Sequence, residues 1–157
     1  MPLPEETRQR ILVADDDQSI RQLVCTIVKR ENLACDAAAD GREAIECLSH
    51  NDYALVLLDL MMPRLDGFGV IAWMKENPPP VKPIVLVITA YADQRFKEVD
   101  SDLVSGILRK PFEVADLGNL IRLCVIGFNE ELSQKLYLSK DRAIRDFVRG
   151  EDGEVRS

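Results

Sequence analysis

The chain has 157 residues, of which 46% are hydrophobic and 30% charged, and a formal net charge of -7. That is the make-up of one ordinary globular domain with a short appendage. The acidic balance excludes a large basic surface for nucleic acid, and apolar runs such as ALVLL and PIVLVI are far too short to cross a bilayer.

From the start, MPLPEETRQR has no apolar h-region, so no secretion signal is expected and the protein is read as cytoplasmic. RILVADDD (10–17) is an apolar run that breaks abruptly into acid. QSIRQLVCTIVKREN (18–32) then sets Ile20, Leu23, Val24, Ile27 and Val28 on one stripe of a helix. ACDAAAD (34–40) reads as a second strand, although alanine is a poor β-former. GREAIECLSHN (41–51) is a short helix with Ala44, Ile45 and Leu48 inward, and ALVLLDL (54–60) a third strand. DGFGVIAWMKEN (66–77) forms a helix stopped by the prolines at 78–80. PIVLVITA (83–90) is the fourth strand, ADQRFKEVDS (92–101) a short polar helix, and GILRK (106–110) the fifth strand. An amphipathic helix then runs from Glu113 to about Phe128, using Leu117, Leu120, Ile121, Cys124 and Phe128.

Five strands alternating with helices, most of them continuous apolar runs, predict a doubly wound α/β fold with a parallel sheet buried on both faces. In such sheets the ligand site lies at the carboxyl ends of the strands. Asp15, Asp16 and Asp17, Asp59, Thr89 and Lys110 all fall at strand ends. Acids crowded on one rim repel one another unless protonated or neutralised by a cation, and oxygen-only ligands suit Mg²⁺. A carboxylate nucleophile, a divalent metal, an ammonium and a hydroxyl donor together describe a phosphoryl-accepting site. Asp17 is also expected to cap the first helix. The cysteines (Cys25, Cys35, Cys47, Cys124) form no C-x-x-C pair, and His50 is the one histidine. Reduced, mostly buried thiols are expected, and a zinc site is not. His50 and Trp73 are expected in ordinary surface and packing roles.

Over residues 10 to about 128 the chain resembles the receiver domains of bacterial two-component response regulators. ILVADDD resembles the first-strand acid pair, VLLDLMMPRLDG the phosphoacceptor strand and loop, VITA the fourth-strand threonine, and RKPF the lysine–proline end of strand five. The resemblance implies a flavodoxin-like strand order, 2-1-3-4-5. It implies that Asp59 accepts phosphate from a histidine kinase or histidine phosphotransfer protein. Asp16 and Asp59 would hold Mg²⁺ directly, with the Met61 backbone carbonyl, and Asp15 through water. Thr89 and Lys110 would contact the phosphoryl oxygens, Lys110–Pro111 would be cis, and Pro63 and Gly67 would shape the loop after strand three. The family's switch aromatic, three residues before the lysine, is here Ile107. Ile107 is therefore expected to stay buried, and Tyr91 is the aromatic expected to respond instead.

A receiver over 9–128 is expected, followed by a helical extension over 129–157 whose end, EDGEVRS, would be disordered. The extension is too short for a complete DNA-binding output domain. It would form a dimer stalk continuing the 113–128 helix, fold back on the receiver, or fray. The expected function is a stand-alone phosphorylation switch acting through protein contacts, not an enzyme beyond phosphorylation from small donors and autodephosphorylation. Two alternatives stand beside it: a receiver excised from a larger regulator or hybrid kinase, and a small Mg²⁺-dependent phosphatase. The phosphatase would want a second aspartate where this chain has Met61.

Overall fold

Apolar runs with no polar face can only be satisfied by burial on both sides, and the computed structural model places them so. It describes residues 9–90 and 102–126. The strands are β1 (Arg10–Ala14), β2 (Ala34–Ala38), β3 (Leu55–Asp59), β4 (Ile84–Thr89) and β5 (Gly106–Arg109). They form one parallel sheet in the order β2-β1-β3-β4-β5, as expected. The helices are α1 (Gln18–Arg30), α2 (Gly41–His50), α3 (Gly67–Glu76) and α4 (Val114–Ile126). Tyr91, the helix expected over 92–101, the end of the last helix at Phe128 and the extension over 129–157 lie outside the described residues. Among the described residues no helix is long and apolar enough to cross a membrane.

Successive strand residues point to opposite faces, so each strand feeds two cores. On one face Ile11, Val13, Leu55, Leu57, Leu86 and Ile88 meet Val24, Ile27 and Val28 of α1 and Leu117, Leu120, Ile121 and Cys124 of α4. On the other, Leu12, Val56, Leu58, Val85 and Val87 meet Ala44 of α2 and Val70, Ile71 and Met74 of α3. Each fully buried Leu or Ile contributes roughly 1.5–3 kcal/mol. Three aspartates start helices by accepting backbone N–H groups: Asp17 from Ser19, Asp40 from Glu43 and Asp66 from Gly69. α3 stops at Asn77, immediately before the proline run.

Two expectations are corrected. Cys25 and Cys35 are not free thiols: a disulfide joins α1 to β2, with the two Cα atoms 5.5 Å apart. α1 folds back over β2, which brings a mid-helix cysteine onto the edge strand. Cys47 and Cys124 remain free, and burial pushes the Cys124 thiol up to about 12. Ile107 is half-buried rather than buried. It sits on β5, which among the described residues is paired on one side only, and lines an open groove of about 270 Å³ with Pro111, Phe112, Glu113 and Asp116.

At the opposite edge, Arg10 pairs with Asp36 at 2.9 Å and the buried Tyr53 hydroxyl donates to the same carboxylate at 2.7 Å. This network fixes β2 against the turn before β3. As anticipated, His50 is exposed, with its ring Nδ1 against the Glu46 carbonyl oxygen, and Trp73 packs partly against the core.

Candidate functional site

The sheet register decides where the polar side chains arrive. Ala14 stands opposite Leu58, Asp59 opposite Ile88, and Thr89 opposite Arg109. Asp15 therefore follows β1, Asp59 ends β3, Thr89 ends β4, and Lys110 follows β5, all at one rim. Asp15, Asp59 and Thr89 are buried, whereas Asp16 is exposed.

Asp15, Asp16 and Asp59 each bring one carboxylate oxygen within 4.8 Å of the other two. Asp59 Oδ1 accepts the Met61 amide at 3.1 Å, and Lys110 Nζ donates to Asp59 Oδ2 at 3.3 Å. The same ammonium lies 2.7 Å from Asp15 Oδ2. Asp15 is held by its other oxygen, which accepts the Asp17 amide at 2.9 Å, while Arg21 donates to the Asp15 carbonyl at 2.7 Å. Burial pushes the Asp59 carboxyl up to about 6. The Met61 amide opposes the rise, Asp15 adds to it, and Lys110 opposes it. Burial acts to lower the Lys110 pKa, but Asp15 and then Asp59 outweigh it and hold the ammonium above its usual value. Asp59 is thus easier to protonate than an ordinary carboxylate, and the Met61 amide and the Lys110 ammonium counter that tendency.

The donor set fits a hard divalent cation. All three side chains offer oxygen, and the buried Asp15 Oδ2 has an ion-pair neighbour in Lys110 but accepts no well-directed hydrogen bond. Exposed Asp16 leaves an approach from solvent.

The loop from Leu60 to Asp66 leaves this rim at Asp59, and its two ends are tied to each other. The Gly67 amide donates to the Leu60 carbonyl at 3.0 Å. A Cβ on Gly67 would lie 2.5 Å from the Asp59 carbonyl oxygen, so only glycine lets α3 start so close to the strand end. Lys110–Pro111 is cis, as the resemblance implied.

The structure therefore brings Asp15, Asp16, Asp59 and Lys110 together, sets Thr89 at the neighbouring strand end, and places Met61 against Asp59 through its amide. Ile107 lies back along β5, and Tyr91 lies outside the described residues. The sequence reasoning missed Arg21 and the pair Asp40–Arg64, in which Arg64 Nε donates to Asp40 Oδ2 at 2.6 Å. Asp40 could have been found: it precedes Glu43 by three residues, a helix-start signature.

Comparison with known proteins agrees with this geometry. The chain is 35% identical over 123 residues to ycf27 of Porphyridium aerugineum, named a probable transcriptional regulator, covering 73% of this chain and 47% of that protein. It is 40% identical over 67 residues to the transcriptional regulatory protein SrrA of Staphylococcus aureus, covering 43% and 28% respectively. The chain thus spans about half or less of these curated relatives. Among solved structures, the receiver domain of Francisella response regulator 1452 superposes with a TM-score of 0.65 at 27% identity, covering 74% of this chain and 96% of that one. The response regulator TrrA of Thermotoga maritima, solved in complex with Mg²⁺-BeF, gives 0.63 at 27% identity, covering 74% and 98%. Residues 11–122 match the family model for the response regulator receiver domain, and with the strand order and the rim of acids and lysine, the chain belongs to that family.

Proposed function

We propose that Asp59 accepts a phosphoryl group from a histidine kinase or histidine phosphotransfer protein, and that the acyl phosphate switches protein contacts. Receiver domains are signalling domains rather than classical enzymes. The proposed reaction is self-labelling: an Asp59 oxygen attacks phosphorus, the phosphorus–nitrogen bond breaks, and the donor imidazole keeps that electron pair. The observation that carries the reading is the convergence of Asp15, Asp16 and Asp59 within 4.8 Å, with Lys110 within 3.3 Å of Asp59.

Asp16, Asp59 and the Met61 backbone carbonyl would hold Mg²⁺, with Asp15 contributing through water. The bound ion would neutralise charge on the transferring group. Asp15 anchors the far side of the site through its bond from the Asp17 amide. Lys110, on its flexible stem, can leave Asp15 and meet a phosphoryl oxygen, and Thr89 would donate its hydroxyl to another. Burial of Asp59 limits water around the reacting carboxylate.

The receiver is proposed to run over 9–128, with the extension over 129–157 serving output or dimerisation. A second reading, a receiver within a larger regulator, is favoured by the 47% and 28% shares of the relatives' lengths. The length of the natural reading frame separates the two. The phosphatase alternative is left without support by the family match.

The test is labelling with acetyl phosphate and mapping of the product by mass spectrometry. Labelling should need Mg²⁺ or Mn²⁺, vanish in Asp59→Ala and nearly vanish in Asp16→Ala. Phosphate on another residue of the wild-type protein, or full labelling in EDTA, would overturn the reading.

A further inference from the structure

The loop that carries Met61 is tied not only to β3 and α3 but also, at its middle, to the start of α2. Asp40 is almost fully buried and uses both carboxylate oxygens. Oδ1 accepts the Glu43 amide at 2.9 Å as the α2 cap, and Oδ2 accepts Arg64 Nε at 2.6 Å. Beside it the Gly41 amide donates to the Leu65 carbonyl at 2.9 Å. A Cβ on Gly41 would lie 2.3 Å from that carbonyl oxygen, so the two backbones meet at a distance only glycine permits. Arg64 has φ 65°, a left-handed conformation uncommon for a long side chain, and its bond to a buried carboxylate offsets that cost. Two turns from different βα units are thus fastened at consecutive residues, Asp40–Arg64 and Gly41–Leu65.

Between this fastening and β3 lies Met61, whose amide touches Asp59 Oδ1. We infer that Asp40 and Arg64, with the Gly41–Leu65 bond, form a latch that positions the loop and, through Met61, the cation site beside Asp59. The inference rests on the proposal that Met61 and Asp59 help hold Mg²⁺. Neither Asp40 nor Arg64 touches that site, so both are positioning residues. Opening the latch removes no ligand but lets the loop, and Met61 with it, sample more arrangements, and binding must then select the competent one.

Electrostatics alone predicts a different sign for one variant. Arg64 is a cation near an acidic site, so removing it should tighten Mg²⁺ binding if charge is all that matters. The latch requires the opposite.

The test is calorimetric titration of the full chain with MgCl₂ and no phosphodonor, on the wild type, Arg64→Ala, Asp40→Asn and the double variant. Asn is as good a helix cap as Asp, so Asp40→Asn removes the ion pair while keeping α2. Each single variant should bind Mg²⁺ about tenfold more weakly, and the double variant no more weakly than either. Arg64→Lys, which keeps a cation able to reach Asp40, should recover most of the loss. The metal-free NMR spectrum should show the Met61 amide displaced in both single variants while core strand amides keep their positions.

Unchanged or tighter binding in Arg64→Ala would overturn the latch while leaving the cation site standing. Weaker binding with an unmoved Met61 amide would overturn it too, because the effect would not pass through the loop. A wild-type protein that binds no Mg²⁺ would instead remove the metal reading, and the latch's proposed purpose with it.

Discussion

The ammonium of Lys110 stands closer to Asp15, at 2.7 Å, than to Asp59, at 3.3 Å. In this state the lysine neutralises the acid that anchors the site as much as the one proposed to react. It thereby occupies the electrostatic role a divalent cation would take. Removing it should separate two properties. Lys110→Ala should bind Mg²⁺ about three- to tenfold more tightly, because one competing positive charge is gone. The same variant should label with acetyl phosphate about a hundredfold more slowly, because a donor to the phosphoryl oxygens is lost. Calorimetry and a labelling time course measure the two, and a parallel fall in both would show that Lys110 does not compete with the ion.

Gly67 gives a purely steric prediction. A Cβ there would meet the Asp59 carbonyl oxygen at 2.5 Å and Leu60 Cα at 2.8 Å, and neither backbone atom can swing aside. Gly67→Ala should destabilise the fold by about 1–3 kcal/mol in urea. It should also slow labelling about ten- to a hundredfold, although no ligand is altered. Labelling at the wild-type rate would mean that the loop relocates without carrying Met61 with it.

Asp40 should make stability depend on pH in a defined direction. The Glu43 amide, and then Arg64, hold its carboxyl below the ordinary value of 3.8. A depressed folded-state pKa contributes stability above the unfolded value, and that contribution is lost as pH falls through the folded one. At pH 7 the wild-type protein should melt about 2–4 °C above Asp40→Asn, a modest gap because Arg64 is largely solvated. The gap should begin to narrow below about pH 4 and close once the folded-state carboxyl is protonated. Thermal melts from pH 7 to pH 2.5 would show it, and a gap that widens in acid would contradict the assignment.

The Cys25–Cys35 bridge predicts a cross-linked peptide pair in a digest made without reductant. Its short loop, with a sequence separation of 10, should stabilise the fold by about 2–3 kcal/mol through the denatured chain. Melting with and without dithiothreitol, and of Cys35→Ser, measures this. Identical melting temperatures, with no linked peptide, would leave all four cysteines reduced.

Ile107, half-buried at the sheet edge and without a polar group, is expected to pack rather than switch. Beryllofluoride with Mg²⁺ should displace the Tyr91 ring resonances more than the Ile107 methyls. A large methyl shift with Tyr91 unmoved would place the response on β5 after all.

How much of this was legible depended on whether a feature is local or made by folding. Strands such as LVLLD and IVLVIT announce themselves, because a run with no polar face must be buried on both sides. Once a parallel sheet follows, Asp15, Asp59, Thr89 and Lys110 must share a rim. The sequence does not show which acid the lysine prefers, because that is set by tenths of an ångström in side-chain placement. Cys25 and Cys35 looked unrelated because a helix return, not their spacing, brings them together. Asp40 and Arg64 sit in two loops 24 residues apart, and no periodicity links loops. Ile107 read as buried from its type, but an edge strand of four residues leaves part of it uncovered.

The strand order has a consequence for the newly made chain. Asp15 and Asp59 come from neighbouring strands, whereas Lys110 follows β5, 51 residues after Asp59, and among the described residues β5 is held to the sheet by β4 alone. The span itself is little longer than that between the two acids, but Lys110 can meet them only once β4 has paired with β3 and can hold β5. A half-assembled molecule therefore carries its carboxylates without their ammonium. On the proposed reaction it would label only slowly until the last strand docks, so full speed toward a phosphodonor would report that β5 is in place.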